Sequence, residues 1–148
     1  IGEEEESLRL QVKSLKLTER VFFLGFIPHD KLPLYLKASD VFIRPSRSEG
    51  LGNSFIEAMA AETPVVATPV GGIPDFLFDP ESHPQKPTGL FCEVDNPESI
   101  AKGVKRLIDD PKLRETIIKN AKENVVQNYD WQGVTRRITH EVFEVVIK

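Results

Sequence analysis

Four short apolar runs, separated by helix-length segments, constrain this chain more than any other feature. They are residues 20–27 (RVFFLGFI), 40–44 (DVFIR), 64–70 (PVVATPV) and 89–94 (GLFCEV). Each is nearly continuous in apolar residues instead of alternating with polar ones. A strand of that kind is buried on both faces, which is the pattern of a parallel sheet covered by helices. Strand-type and helix-type segments alternate along the chain. The expected fold class is therefore α/β, a Rossmann-like parallel sheet sandwiched between helices.

The intervening segments read as helices on their own evidence. Glu3 to Glu6 forms an acidic first turn that suits the helix dipole, and Leu8, Val12 and Leu15 follow at helical spacing. Asp30 caps a short helix through Lys37, with Pro33 in its first turn. Residues 53–62 are helical, with Phe55, Ile56, Met59 and Ala60 as the apolar face. Gly71-Gly72 breaks the third run, a short helix spans residues 74–78, and residues 79–88, with three prolines, form a loop. Asn96-Pro97 and Asp110-Pro111 are cap-plus-first-residue pairs. Ile100, Val104, Leu107 and Ile108, then Leu113, Ile117, Ala121 and Val125, continue as helical stripes. Trp131, Val134, Ile138, Val142 and Val145 mark a last helix, with Trp131 expected to pack it onto the domain. Phe22, Phe23 and Phe91 are assigned to the core, and Cys92 is read as a buried small hydrophobe.

Composition narrows the class. The 148 residues, 40% hydrophobic, suffice for one domain spanning 1–148. No apolar run approaches the ~20 residues of a membrane-spanning helix. The single Cys excludes an internal disulfide framework and a Cys-rich metal site. A net charge of -4 gives no general attraction to nucleic acid or to an anionic membrane. The expected setting is soluble and cytoplasmic. The chain opens on Ile1-Gly2 with no signal peptide pattern, as if cut from a longer protein.

In parallel sheets, ligands bind at the carboxyl ends of strands beside helix N-termini. The unusual segment there is Pro45-Ser46-Arg47-Ser48-Glu49-Gly50-Leu51-Gly52-Asn53, running into a helix that carries Glu57. Gly50 and Gly52 let backbone approach a ligand closely, and the helix start offers free N–H groups to an anion. Glu49 is an acid beside that anion site, which makes sense if it faces neutral hydroxyls such as those of a sugar. Glu57, one turn into the helix, can accept two hydrogen bonds from a vicinal diol such as a ribose. The residues describe a pocket for a diphosphate flanked by two polyol ends. A dinucleotide-binding dehydrogenase is disfavoured, because no Gly-x-Gly-x-x-Gly follows a strand. Arg47 and His29 read as surface residues, while Ser46 divides evenly between pocket lining and a turn hydrogen bond.

Glu49 and Glu57, with seven residues between them, form the Glu-x7-Glu signature, and the chain resembles the retaining glycosyltransferases of family 4 (group 1), which have the two-domain GT-B fold. Five ordered blocks carry the resemblance: residues 21–28, the PS-x-x-EG-x-G turn, Glu57-Ala58-Met59-Ala60, residues 64–75 and residues 89–98. It implies the C-terminal, donor-binding half of that fold. Glu49 would be catalytic and contact the transferred sugar, and Glu57 would bind the nucleotide ribose. Backbone amides of Gly50, Leu51, Gly52 and Asn53 would reach donor-sugar and diphosphate oxygens. Phe26 and Ile27 would line the base, and Ser46 the pocket. The donor would be a nucleotide-diphosphate sugar. The resemblance implies no metal and no cofactor. The acceptor, whether sugar, lipid-linked or protein, would sit on an N-terminal domain that this chain lacks, so the chain alone is expected to be inactive. Many relatives work at a membrane face, which implies peripheral membrane contact for the full-length protein.

Two departures stand out. The family's first strand–helix unit, with a basic pair on the diphosphate, has no counterpart here, which leaves a sheet edge open to self-association. Asp75 stands where the family often has Glu. Two other functions remain open at this point. One is a non-catalytic nucleotide-sugar-binding module; the other is a GT-B relative such as a nucleotide-sugar epimerase.

Overall fold

The computed structural model describes residues 2 and 4–143; Ile1, Glu3 and Val145, used above, lie outside the described residues. Contacts divide the chain into two compact units, Ile1–Leu32 and Pro33–Lys148.

In the first unit, α1 spans Glu5–Ser14. Glu5 and Glu6 occupy its first turn, and Arg9 pairs with Glu5 at 2.7 Å on the same face. The helix ends because Lys16 turns left-handed (φ 57°), and Leu17 N–H then bonds back to Val12 O at 2.9 Å. Residues 20–27, expected to be a strand, are not one. Phe22 is 73% exposed and Phe26 is 91% exposed, so the expected buried strand is overturned. Two causes are visible. Gly25 adopts φ 65°, which breaks the pleat in mid-run. This unit also contains no other strand among its described residues, so the run has no ladder partner. Phe23 is half-buried, with the Arg9 guanidinium 4.3 Å from its ring centroid.

The second unit carries the sheet. After α2 (Leu32–Lys37), β1 (Phe42–Arg44), β2 (Val65–Ala67) and β3 (Leu90–Phe91) lie in the order β1-β2-β3, all parallel. Phe42 faces Val65 and Arg44 faces Ala67 in the first ladder; Ala67 faces Phe91 in the second. The α/β class holds, with three described strands instead of four. β1 is an edge strand among the described residues. β2 is buried throughout, as its unbroken apolar run requires.

Helices α3 (Asn53–Ala60) and α4 (Pro97–Asp109) both pack on β2. α3 buries Phe55, Ala58 and Met59, so Ala58 takes the place assigned to Ala60, which is exposed. On α4, Leu107 joins Val66, Leu90, Cys92 and Ile117 in one core cluster, with Ile100 and Val104 packed against it. Gly103 is buried there because its absent Cβ would lie 3.1 Å from Val66 Cγ1. Both cap pairs form as expected. Asn96 accepts a bond from Ser99 N–H at 3.0 Å, and Asp110, which starts α5 (Pro111–Tyr129), accepts one from Leu113 N–H at 3.0 Å.

The region between β2 and β3 is held by two buried polar side chains. Asp79 accepts from Glu81 N–H at 2.9 Å and Phe91 N–H at 2.8 Å. Thr88 accepts from Phe78 N–H and donates to Phe76 O. Residues 74–78 form no α-helix; the turn Ile73–Asp75 is a single 3-10 turn. The last helix, α6 (Trp131–Ile138), passes into a π-helical turn over Thr139–Phe143. Trp131 is 81% exposed and no α6 residue is buried, which corrects the packing assigned to Trp131. An apolar stripe defines a face, but not the neighbour that would cover it. Phe91 is only half-buried, while Cys92 is buried as expected. Among the described residues, no helix is long and apolar enough to cross a membrane.

Candidate functional site

The turn between β1 and α3 stands at the carboxyl end of an edge strand, and Glu49 is its most confined side chain. Only 10% of that side chain is exposed. Arg44 Nη2, at the end of β1, lies 2.7 Å from Glu49 Oε1. Ser46 Oγ donates to the same oxygen at 2.8 Å. Arg44 also donates through Nη1 to Ser54 Oγ, 2.7 Å away in the first turn of α3. Ser46 is fixed in turn, because the buried Thr68 hydroxyl after β2 donates to its carbonyl. Of the two functions the sequence left open for Ser46, the turn hydrogen bond is the one formed, to Glu49 within the same turn.

The helix start is shaped by glycine. Gly52 is the N-cap of α3 at φ 75°, and no side chain caps this end. Phe55 N–H bonds back to Gly52 O at 3.0 Å, which leaves the N–H groups of Asn53 and Ser54 to the preceding loop. A Cβ on Gly52 would meet the buried Phe55 ring at 2.6 Å. Gly71, at φ 56°, is more restricted still, since a Cβ there would stand 1.8 Å from Glu49 O. Gly72 N–H donates to Gly50 O at 3.0 Å. The loop after β2 thus clamps the backbone of the loop after β1. Gly50 differs, because a Cβ there meets nothing within 4 Å. No packing among the described residues requires glycine at that position.

The structure brings Ser46, Glu49, Gly50 and Gly52 together, with Leu51 and Asn53 exposed in the same turn. Glu57 is half-buried on α3. Phe26 and Ile27 belong to the Ile1–Leu32 unit. Arg47 is exposed and paired with Asp95 at 2.7 Å, and that hydrogen bond raises its pKa above the ordinary value. Sequence reasoning passed over Arg44, Ser54, Thr68 and the clamping function of Gly71-Gly72. For the glycines a signal existed, since they follow a strand at its ligand-binding end. For Arg44 none did, because its partners Glu49 and Ser54 lie beyond the strand, five and ten residues on.

A separate cavity of ≈ 590 Å³ opens beyond β2 and β3, lined by Val70, Cys92, Ser99, Lys102 and Arg106 among others. Burial pushes the Cys92 thiol up from its ordinary pKa, so it stays protonated at neutral pH. Among the described residues, no group of three or more His, Cys, Asp or Glu is placed to hold a metal ion.

Solved structures define the class of fold. The chain superposes on sucrose-phosphate synthase from Thermosynechococcus elongatus with a TM-score of 0.84 and 30% identity, over 99% of this chain and 35% of that one. It superposes on Anabaena HepE in complex with UDP and glucose with a TM-score of 0.82 and 26% identity, over 94% of this chain and 36% of that one. This is the α/β architecture of GT-B glycosyltransferases. Residues 1–124 match the sequence model of the glycosyl transferases group 1, and the chain belongs to that family. An uncharacterized glycosyltransferase of Methanocaldococcus jannaschii, MJ1607, is 36% identical over 134 residues, covering 90% of this chain and 33% of the relative. The sulfoquinovosyl transferase SQD2 of Arabidopsis thaliana is 38% identical over 125 residues, covering 84% and 24%. The chain thus spans a third of the first relative's length and less of the second's.

Proposed function

We propose that this chain is the donor-binding part, the C-terminal half, of a retaining GT-B glycosyltransferase of family 4. The observation that carries the reading is the Glu49 carboxylate, withdrawn from water at the uncapped start of α3 and held by Arg44 and Ser46. A carboxylate fixed beside free backbone N–H groups suits a ligand with hydroxyls next to a diphosphate. The HepE structures in complex with UDP and with UDP-glucose, 26% identical to this chain, make a uridine diphosphate sugar the first donor to test.

In this reading Glu49 touches the transferred sugar and Glu57 takes the ribose hydroxyls. The amides of residues 50–53 and the start of α3 receive the diphosphate, where leaving-group charge develops during transfer. Ser46 lines the donor pocket. Gly50 leaves its open space to the ligand. The acceptor binds residues outside this chain, at a site in the cytoplasm or on the cytoplasmic face of a membrane.

Calorimetric titration with UDP tests the ribose assignment. Glu57→Ala removes a charged hydrogen-bond acceptor worth ~1.5–3 kcal/mol, roughly 10- to 150-fold in Kd. An unchanged UDP affinity in a folded variant overturns it. Sugar transfer from UDP-glucose by this chain alone would contradict the placement of the acceptor site elsewhere.

A further inference from the structure

An acid beside a diphosphate is an electrostatic conflict, and the structure contains a feature that resolves it. Glu49 lies three residues before Gly52, the N-cap of α3, so its charge lies close to where a diphosphate would settle. Its Oε1 carries one hydrogen-bond donor, Ser46 Oγ at 2.8 Å, and lies 2.7 Å from Arg44 Nη2 in the ion pair. Its Oε2 carries none among the described residues, and lies 3.7 Å from where a Gly52 Cβ would stand. The carboxylate therefore presents one occupied and one unoccupied oxygen.

Arg44 is built to impose that asymmetry. Its second nitrogen is fixed on Ser54 Oγ at 2.7 Å, and its guanidinium carbon lies 5.6 Å from the centroid of the buried Phe55 ring. Its contacts with Glu49, Ser54 and Phe55 together fix the planar fork. A lysine ammonium, a point charge on a flexible stem, cannot fix that geometry. The burial is also unequal: Glu49 is 10% exposed and Arg44 48%. A carboxylate so far from water needs a partner, whereas an arginine so exposed does not need this one.

We propose that Arg44 is the positioning residue for Glu49. It neutralises the carboxylate so that the diphosphate can occupy the adjacent helix start. It also turns Oε2 alone toward the sugar hydroxyls of the donor. The inference rests on the donor-binding reading given above.

Titrations of UDP and UDP-glucose into wild type, Arg44→Ala, Arg44→Lys, Glu49→Gln and the Arg44→Ala, Glu49→Gln double variant test it, with circular dichroism confirming each fold. With Glu49 present, Arg44→Ala is expected to weaken UDP-glucose tenfold or more. In the Glu49→Gln background the same substitution is expected to change affinity by less than twofold. Arg44→Lys keeps the charge and loses the fork. It should retain UDP affinity while losing the extra affinity that the glucose moiety confers. An arginine that served only stability would act equally in both backgrounds and on both ligands, and that result overturns the proposal. If Arg44→Ala fails to fold, Arg44→Lys carries the same cycle. Should Glu49→Gln leave the ratio of UDP-glucose to UDP affinity unchanged, the sugar-contacting assignment of Glu49 fails instead.

Discussion

Gly71→Ala perturbs the candidate site without touching a polar group. The substitution adds one methyl at φ 56°, in the left-handed region, at a cost of ~1–2 kcal/mol. The methyl would also stand 1.8 Å from Glu49 O, so the two loops must separate by well over an ångström. Overpacking of this kind typically costs ~1–3 kcal/mol. Together the effects amount to roughly 2–5 kcal/mol, which at a urea dependence of ~2 kcal/mol per molar moves the midpoint by roughly 1–2.5 M. Gly50→Ala is the matched control, adding the same methyl in open space to the same pair of loops. It should stay within ~0.5 kcal/mol of wild type and, if the donor occupies that space, weaken UDP binding. Urea denaturation followed by far-UV circular dichroism is the assay, since the exposed Trp131 is a poor fluorescence reporter of packing. Equal midpoints for Gly71→Ala and Gly50→Ala would refute the clamp.

Other outcomes follow from single groups. The Cys92 thiol is raised by burial, so its contribution is complete below the unfolded pKa of ~8.5 and is lost as pH climbs through the higher folded value. Urea midpoints measured from pH 7 to 10 should therefore fall more steeply in wild type than in Cys92→Ala. Glu62 is held below the ordinary carboxylate range by its hydrogen bond to Lys122, which joins the end of α3 to α5. That contribution is present above the unfolded value and disappears as pH falls through the folded one, so Lys122→Gln should flatten the acid limb of the stability curve. Asp110→Ala removes the cap of α5 and should cost ~1 kcal/mol, read from the urea midpoint.

What the sequence disclosed depended on the range of the interaction involved. Asn96 and Asp110 were legible as caps because a cap is settled within four residues. The run at residues 64–70 was legible as a buried strand because its neighbours on both sides exist. Residues 20–27 carry an equally strong β pattern, yet no strand lies among the described residues of their unit to complete the ladder. Trp131 failed for a similar reason, since none of the described residues buries its stripe. In the site, Glu49, Gly52 and Glu57 were marked by spacing along one segment. The bonds from Arg44 to Glu49 and from Thr68 to Ser46 were not, because no local pattern couples a strand's last residue to a carboxylate beyond it. Nor does one tie a threonine to a carbonyl 22 residues away.

Beneath the turn runs a continuous file of rings. Phe42 meets Phe55 edge-on at 5.7 Å between centroids, Phe55 meets Phe76 at 6.3 Å, and Phe76 meets Tyr129 edge-on at 6.1 Å. The file crosses from the sheet edge to the end of α5, and Phe55 and Phe76 within it are fully buried. Interiors packed in this way transmit displacement and absorb little of it. The floor of the candidate site is thus a fixed datum, and any change in which ligand the turn would accept has to be written in the residues above it. Arg47, Gly50 and Leu51 have room to change there, whereas Gly52, Phe55 and Gly71 do not.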